Sequence, residues 1–461
     1  MKIDSVRFQA FATNSSSVHT PFIRTDKKPV DYLLSEGYEF GWQPFIAATS
    51  EAKKMYAAMM LQENTRYLGK DIQEAVLRQW VGLVPGEDDY IDHHSVITLP
   101  RTFKGEQISK QYFMDYFKWL MRPEIAIQGG NDDGDGCEEL PGKPVDFRIP
   151  KSGYFNCRKD AKGFYTLFNP EDGTKIRMSF DDNVDMSKST NPELVDLKIT
   201  DRCPNGCSYC YQNSKPNGEH AARDLVTTIL DVLAKLEVFE VAFGGGEPTE
   251  HPDFWQFVVH AHRLGIKPNF STRNLRWLDN AWNLQTFKKC CGAFAYSVDS
   301  VGGVRTLIRA MHKYELEDMV TVQYIPETED AEMLKDVIIA ATDYGIPITL
   351  LGLKTTGRGK LYTACRSSRA GVTDDDVIAA VKDHWNIGID TAFANKYQKA
   401  IEELGASHWS YNIKEGAHSM YIDAVAELTG KSSYCEDPCP LIVYNTIENT
   451  AKLITEAFKG Y

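Results

Sequence analysis

Long hydrophobic runs are missing from this sequence. No stretch approaches the ~18 uninterrupted apolar residues that a membrane-spanning helix needs, and the first twenty residues carry Lys2, Asp4 and Arg7 with no apolar segment between them. Membrane spanning and secretion are disfavoured, and a cytoplasmic protein is expected. Positive charge is also in deficit. Lys and Arg number 51 against 64 Asp and Glu, a net charge of −13, which argues against a long contact with nucleic-acid phosphates, since such contacts need concentrated cations. The short runs Lys53-Lys54 and Lys288-Lys289 read as solvated faces. Cysteine is sparse: ten in 461 residues suit a reducing compartment better than a disulfide framework. The length corresponds to about three domains, and 43% hydrophobic residues are enough to fill large cores.

What cysteine there is falls in a pattern. Cys203, Cys207 and Cys210 stand in Cys-Pro-Asn-Gly-Cys-Ser-Tyr-Cys, with Gly206 permitting a tight turn. Three thiolates this close can ligate three irons of a [4Fe-4S] cluster and leave the fourth without a local protein ligand. No fourth cysteine follows within several dozen residues, and no second close pair or histidine set completes a zinc site nearby. The spacing predicts a reactive cluster with an open iron.

The C-x3-C-x2-C spacing with Tyr209 before the last cysteine resembles the signature of the radical S-adenosylmethionine (SAM) superfamily. That resemblance implies that SAM chelates the open iron and that its reductive cleavage gives a 5′-deoxyadenosyl radical. It also implies an electron donor such as flavodoxin or ferredoxin, and oxygen sensitivity. Further motifs extend the likeness. Gly244-Gly245-Gly246-Glu247 is similar to the family's glycine-rich loop, which engages the SAM ammonium. Ser271, in Ser-Thr-Arg-Asn, and Ser297 and Asp299, in Ser-Val-Asp-Ser, match strand-end positions that family members use for the SAM ribose and carboxylate. By the same resemblance Gln323 and the backbone at Leu351 approach ribose and adenine, with Tyr209 beside the adenine.

Hydrophobic periodicity supplies the scaffold. The segments 195–199, 241–243, 267–271, 293–298, 320–325 and 348–353 read as six strands. Helical stripes alternate with them: Leu225, Ile229, Leu233 and Leu236; Phe254, Phe257, Val258 and Ala261; Val304, Leu307, Ile308 and Met311; Leu334, Val337, Ile338 and Ala341, with a short helix at 282–287. Alternating strands and helices imply an α/β fold with a parallel sheet. The resemblance makes it a partial (β/α)6 barrel over about a third of the chain, with the functional loops at the C-terminal strand ends.

The predicted domains are an α+β N-terminal domain at 1–190, the barrel at 191–355, and a mostly helical C-terminal extension at 356–461 covering the barrel mouth. In the first, helices are expected at 51–62 and 71–83, the latter with Ile72, Val76, Leu77 and Trp80 on one side, and strands between 145 and 180. The run 131–136 begins like a calcium loop, but Gly142 stands where the bidentate glutamate belongs, so a solvated acidic loop is expected. The polar run 14–19 reads as a loop. In the extension, helices are expected at 374–383, 390–404 and 446–458, and Arg358 of Gly-Arg-Gly either binds a carboxylate or braces its loop.

The other cysteines divide into two groups. Cys137, Cys157, Cys290 and Cys291 read as small buried hydrophobes. Cys435 and Cys439 form a close pair that, with Cys365, is a candidate second iron–sulfur cluster. Cys365 is also a candidate hydrogen-atom donor to a substrate radical, the role a cysteine has in radical SAM peptide epimerases. The expected substrate is a peptide or protein, modified by epimerisation, crosslinking or a related reaction. The alternatives are a nucleotide or transfer-RNA substrate and, in another class, a non-catalytic iron–sulfur protein.

Overall fold

The computed structural model describes residues 2–7, 20–24, 31, 38–41, 45–92, 96, 98–105, 107–129, 142–144, 154–316, 319–365, 371–382, 384, 387–406, 411, 413–443 and 446–461. The runs 14–19 and 131–136, and Cys137, lie outside them. The chain divides into two compact units, 1–185 and 186–461.

In the first unit a five-stranded sheet runs in the order Lys2–Arg7, Lys175–Ser179, Tyr165–Phe168, Asn156–Lys159, Arg101–Thr102. A four-stranded sheet contains Phe45–Ala47, Ile125–Gly129, Thr20–Arg24 and Gly142–Pro144. The predicted helices are present at Ser50–Asn64 and Lys70–Trp80, with a third at Lys110–Leu120. Thr49 caps the first by accepting the Ala52 N–H. The stripe on the second is narrower than its spacing suggests, because Leu77 is buried whereas Ile72 is 58% exposed. Tyr56, Tyr112, Phe113 and Tyr165 fill this unit's core.

The second unit is built on one ten-stranded sheet. Its elements are β1 (Leu194–Thr200), α1 (Arg223–Lys235), β2 (Glu240–Gly245), α2 (Phe254–Arg263), β3 (Lys267–Thr272), α3 (Ala281–Cys290) and β4 (Phe294–Val298). There follow α4 (Val301–Tyr314), β5 (Val320–Tyr324), α5 (Ala331–Thr342), β6 (Ile348–Leu350), α6 (Gly357–Cys365) and α7 (Asp374–Val381). The last are β7 (Ile387–Ile389), α8 (Thr391–Lys396), α9 (Gln398–Glu403), β8 (Ser419–Asp423), β9 (Leu428–Gly430), β10 (Cys439–Pro440) and α10 (Ile447–Gly460). The order is β7-β6-β5-β4-β3-β2-β1-β8-β9-β10. β7 through β8 are parallel throughout, and β9 and β10 return antiparallel.

The six expected strands are β1 to β6, each followed by a helix, which is the partial barrel. The stripes on α2, α4 and α5 are buried throughout, and on α1 Ile229 and Leu233 are. Each such side chain contributes roughly 1.5–3 kcal/mol on leaving water. The sheet nonetheless extends past the expected six strands. β7 adds a seventh at one edge, and β8 pairs with β1 at the other, Asp196 beside Tyr421 and Lys198 beside Asp423. The helix expected at 390–404 is two short ones, α8 and α9, meeting at Tyr397.

Candidate functional site

Along β1 the pleat sends Val195, Leu197 and Ile199 into the helix-facing core and leaves Asp196 and Lys198 on the opposite, barrel-lining face. That face opens at the C-terminal strand ends into a cavity of about 450 Å3. Cys203, Cys207, Cys210 and Tyr209 line it together with Gly244, Gly245, Gly246 and Glu247. Ser271, Ser297, Gln323 and Leu351 line it as well. Asp299 does not: it is exposed, and its Oδ2 accepts from the Arg273 guanidinium at 2.6 Å.

Two backbone contacts bring the cysteine and glycine loops together. Gly246 N–H donates to Thr200 O at 2.7 Å and Glu247 N–H to Arg202 O at 2.8 Å. The approach requires glycine, since a Cβ at Gly245 or Gly246 would stand 2.3 Å from Thr200 O or 2.1 Å from Arg202 O, and Gly245 has φ +116°. Gly244 is different, with nothing within 4 Å of where its Cβ would be. Its surface is open cavity.

Glu247 is 1% exposed, and both its oxygens are engaged. Oε1 accepts from the Thr249 and Thr272 hydroxyls at 2.8 and 2.7 Å, and Oε2 from Arg273 N–H at 2.9 Å. Burial pushes its carboxyl above the usual range against the pull of those donors. The side chain thus ties the end of β2 to the end of β3.

The cysteine loop is held from within and from outside. Cys203 N–H donates to Lys215 O at 3.0 Å, and Gly206 takes φ +63°. From α6, Arg358 N–H donates to Cys210 O, and its guanidinium donates to Cys207 O at 2.9 Å, Asn213 Oδ1 at 3.1 Å and Ser214 O at 2.9 Å. Arg358 therefore braces the loop. Gly357 lets α6 come this close, since a Cβ there would lie 2.3 Å from Tyr211 O; at Gly359 a Cβ would instead lie 2.1 Å from Lys354 O, in the segment leading into α6.

Sequence reasoning passed over Arg273. Its guanidinium donates to Cys207 Sγ at 3.1 Å and Tyr209 OH at 2.9 Å while pairing with Asp299. The only signal was a cation inside a strand-end run read for its short hydroxyls.

The three cysteines are free and partly buried. Among the described residues no three His, Cys, Asp or Glu side chains converge on one point as ligands of a single ion. A cubane spreads its thiolates over separate irons, so three free thiols on one cavity wall, beside a cationic Arg273, fit a cluster better than a lone ion. Cys365 is exposed at the end of α6 and does not line the cavity. Cys435 is partly buried against Gly430 and Cys439 is exposed in β10. Cys157, Cys290 and Cys291 are buried. Among the described residues no helix is long and apolar enough to cross a membrane.

Residues 197–359 match the model of the Radical SAM superfamily. Mycofactocin maturase MftC of Mycobacterium ulcerans is 28% identical over 186 residues, 36% of this chain and 49% of that protein. PqqA peptide cyclase of Rhodopseudomonas palustris is 30% identical over 161 residues, 32% of this chain and 43% of that protein. The chain thus spans about half the length of the curated relatives it matches. Streptococcus suis SuiB, solved with the precursor peptide SuiA, superimposes with a TM-score of 0.48 at 10% identity, over 66% of this chain and 89% of that one. The family match begins inside β1 and ends inside α6, the span over which the sheet delivers both loops to one cavity, and over that span the chain is similar to the radical SAM superfamily.

Proposed function

We propose that this protein is a cytoplasmic radical SAM enzyme acting on a peptide or protein, with Cys203, Cys207 and Cys210 holding a [4Fe-4S] cluster and SAM lying in the cavity beside it. The observation that carries this reading is the opening of the cysteine and glycine loops onto the same cavity. When bound and reduced, the cluster supplies the electron that cleaves SAM and so generates the radical that abstracts hydrogen from the substrate. The chain's own residues bind and orient. Gly244 leaves the room a ligand needs, and Glu247 fixes the glycine loop by its bonds to Thr249, Thr272 and Arg273. Ser271, Ser297, Gln323 and the backbone at Leu351 offer polar contacts along the wall, and Tyr209 an aromatic face. Arg273 sets a positive charge beside Cys207, complementary to an anionic thiolate ligand. A peptide substrate is supported by the names of the relatives, a maturase and a peptide cyclase. The reaction in this reading is epimerisation, crosslinking or a related modification, with a flavodoxin or ferredoxin as electron donor. Cys365, away from the cavity, has no part in this reading.

Anaerobic reconstitution with iron and sulfide, followed by dithionite and SAM, tests it. Wild-type protein is expected to show cluster absorbance and to release 5′-deoxyadenosine, and the triple Cys203→Ala, Cys207→Ala, Cys210→Ala variant to do neither. Undiminished cleavage by the triple variant would sink the assignment.

A further inference from the structure

One side of the cavity is not engaged by either loop motif. It is formed by β1, by β8, by the segments after β6 and β7 and by Tyr211 just past the last cysteine of the motif, and Asp196, Tyr211, Lys354, Asp390 and Tyr421 line it. Asp196 is the odd member. Its side chain is open to the cavity, and its carboxylate accepts no hydrogen bond from a described residue. The neighbouring groups are already committed. Asp390 Oδ1 accepts from Gly352 and Phe393 N–H at 2.9 and 2.8 Å, and Lys198 is held by Asp201 at 2.7 Å and Asp423 at 2.8 Å. Lys354 Nζ sits 4.7 Å from the Tyr211 ring centre and 5.1 Å from that of Tyr434, with Asp390 Oδ2 at 3.9 Å. Glu415 accepts from Tyr434 OH at 2.5 Å.

The charges do not cancel. Among the described residues, once Lys198 is assigned to Asp201 and Asp423, the ammonium of Lys354 faces Asp196, Asp390 and Glu415. Lys431 also acts on Glu415. An anionic guest would add to that excess, whereas a cation would relieve it and give Asp196 the donor it lacks. Tyr211 and Tyr421 add aromatic surface, which favours a cation further.

We propose that this side of the cavity is a substrate subsite for a cationic side chain, lysine or arginine, with Asp196 receiving the charge. The proposal rests on the peptide-substrate reading above. Its test is equilibrium binding to the reconstituted, SAM-loaded protein under anaerobic conditions, using acetyl-Ala-Ala-X-Ala-Ala-amide peptides with X lysine, arginine, norleucine or glutamate. Lysine and arginine peptides are expected to bind at least ten-fold tighter than the norleucine and glutamate peptides, and Asp196→Asn to abolish the difference while cluster absorbance is kept. Equal binding of the four, a preference for glutamate, or a cation preference surviving in Asp196→Asn would overturn the subsite. If Asp196→Asn does not fold, Asp196→Ser takes its place. n-Butylammonium, followed by saturation-transfer NMR, separates the two readings. If it binds wild type and not the variant while no peptide binds, the subsite stands and the peptide reading fails. If neither it nor any peptide binds, the subsite is overturned.

Discussion

Asp196, open to the cavity and without a donor among the described residues, has a raised pKa. Although the side chain is open to the cavity, desolvation by the surrounding barrel pushes it up to about 6; Lys354 opposes the shift, and Glu415 and Asp390 add to it. The folded protein therefore holds this proton more tightly than the unfolded chain, so stability falls as pH rises through the window from the ordinary carboxylate value to about 6. Asp196→Asn is expected to raise the melting temperature at pH 7.5 and to change it little at pH 4.5, as scanning calorimetry would show. A variant no more stable than wild type at pH 7.5 would contradict the strain inferred here. Affinity for a cationic guest should run the other way, rising with pH through about 6 in wild type and flat in Asp196→Asn. Arg358 makes the complementary case, a cation fully engaged. Arg358→Gln removes charge-assisted bonds worth about 1.5–3 kcal/mol each at most, so the cysteine loop should loosen and iron should leave faster under chelator challenge. An unchanged rate of loss would show that the loop does not depend on its brace. The sequence left Arg358 between brace and carboxylate binder, because the partners of its guanidinium are two backbone carbonyls and the Asn213 side-chain oxygen, which carry no signature of their own.

At the scale of elements, what could be read was periodicity, and what could not was close approach. β1 to β6 and the stripes of α2, α4 and α5 came through because buried helix faces repeat at 3.6 residues, and strands either run apolar, as in β6, or alternate core and cavity residues, as in β1. β7 is three residues, Ile-Gly-Ile, too short to set up a pattern, and β8 reads Ser-Met-Tyr-Ile-Asp, with polar residues where it faces the cavity. The glycines of the two loops also looked alike in sequence, yet their surroundings separate them. At Gly357 a Cβ would meet Tyr211 O at 2.3 Å, so Gly357→Ala should push α6 off the cysteine loop and lower both melting temperature and iron content. Gly244→Ala meets nothing within 4 Å. It is expected to leave melting temperature and iron content unchanged while weakening SAM binding several-fold, because the added methyl projects into the cavity; undiminished SAM affinity would mean that the ligand lies elsewhere.

The whole second unit depends on its last residues. β8 pairs with β1 along Leu194 to Lys198, and α10 packs against α1, so the strand that leads into the cysteine loop is an interior strand only because the chain returns to cover it. Nothing in the central 191–355 segment announces this, since the pairing joins residues more than two hundred positions apart and a parallel partner leaves no local turn signal. Without residues 411–461, β1 would present an unpaired edge, and the apolar faces of Ile454 and Phe458 that now pack into the core would be gone. A fragment of 186–461 is therefore expected to be monodisperse and to unfold cooperatively, whereas 186–405 should aggregate on expression. Size-exclusion chromatography with thermal unfolding of the two fragments decides it. If 186–405 stays monomeric and takes up iron as fully as the longer fragment, the barrel does not need its C-terminal strand. The expected outcome instead makes that strand part of the site, because Tyr421 and Asp423 leave with it, and Lys198 loses the second of its two carboxylates.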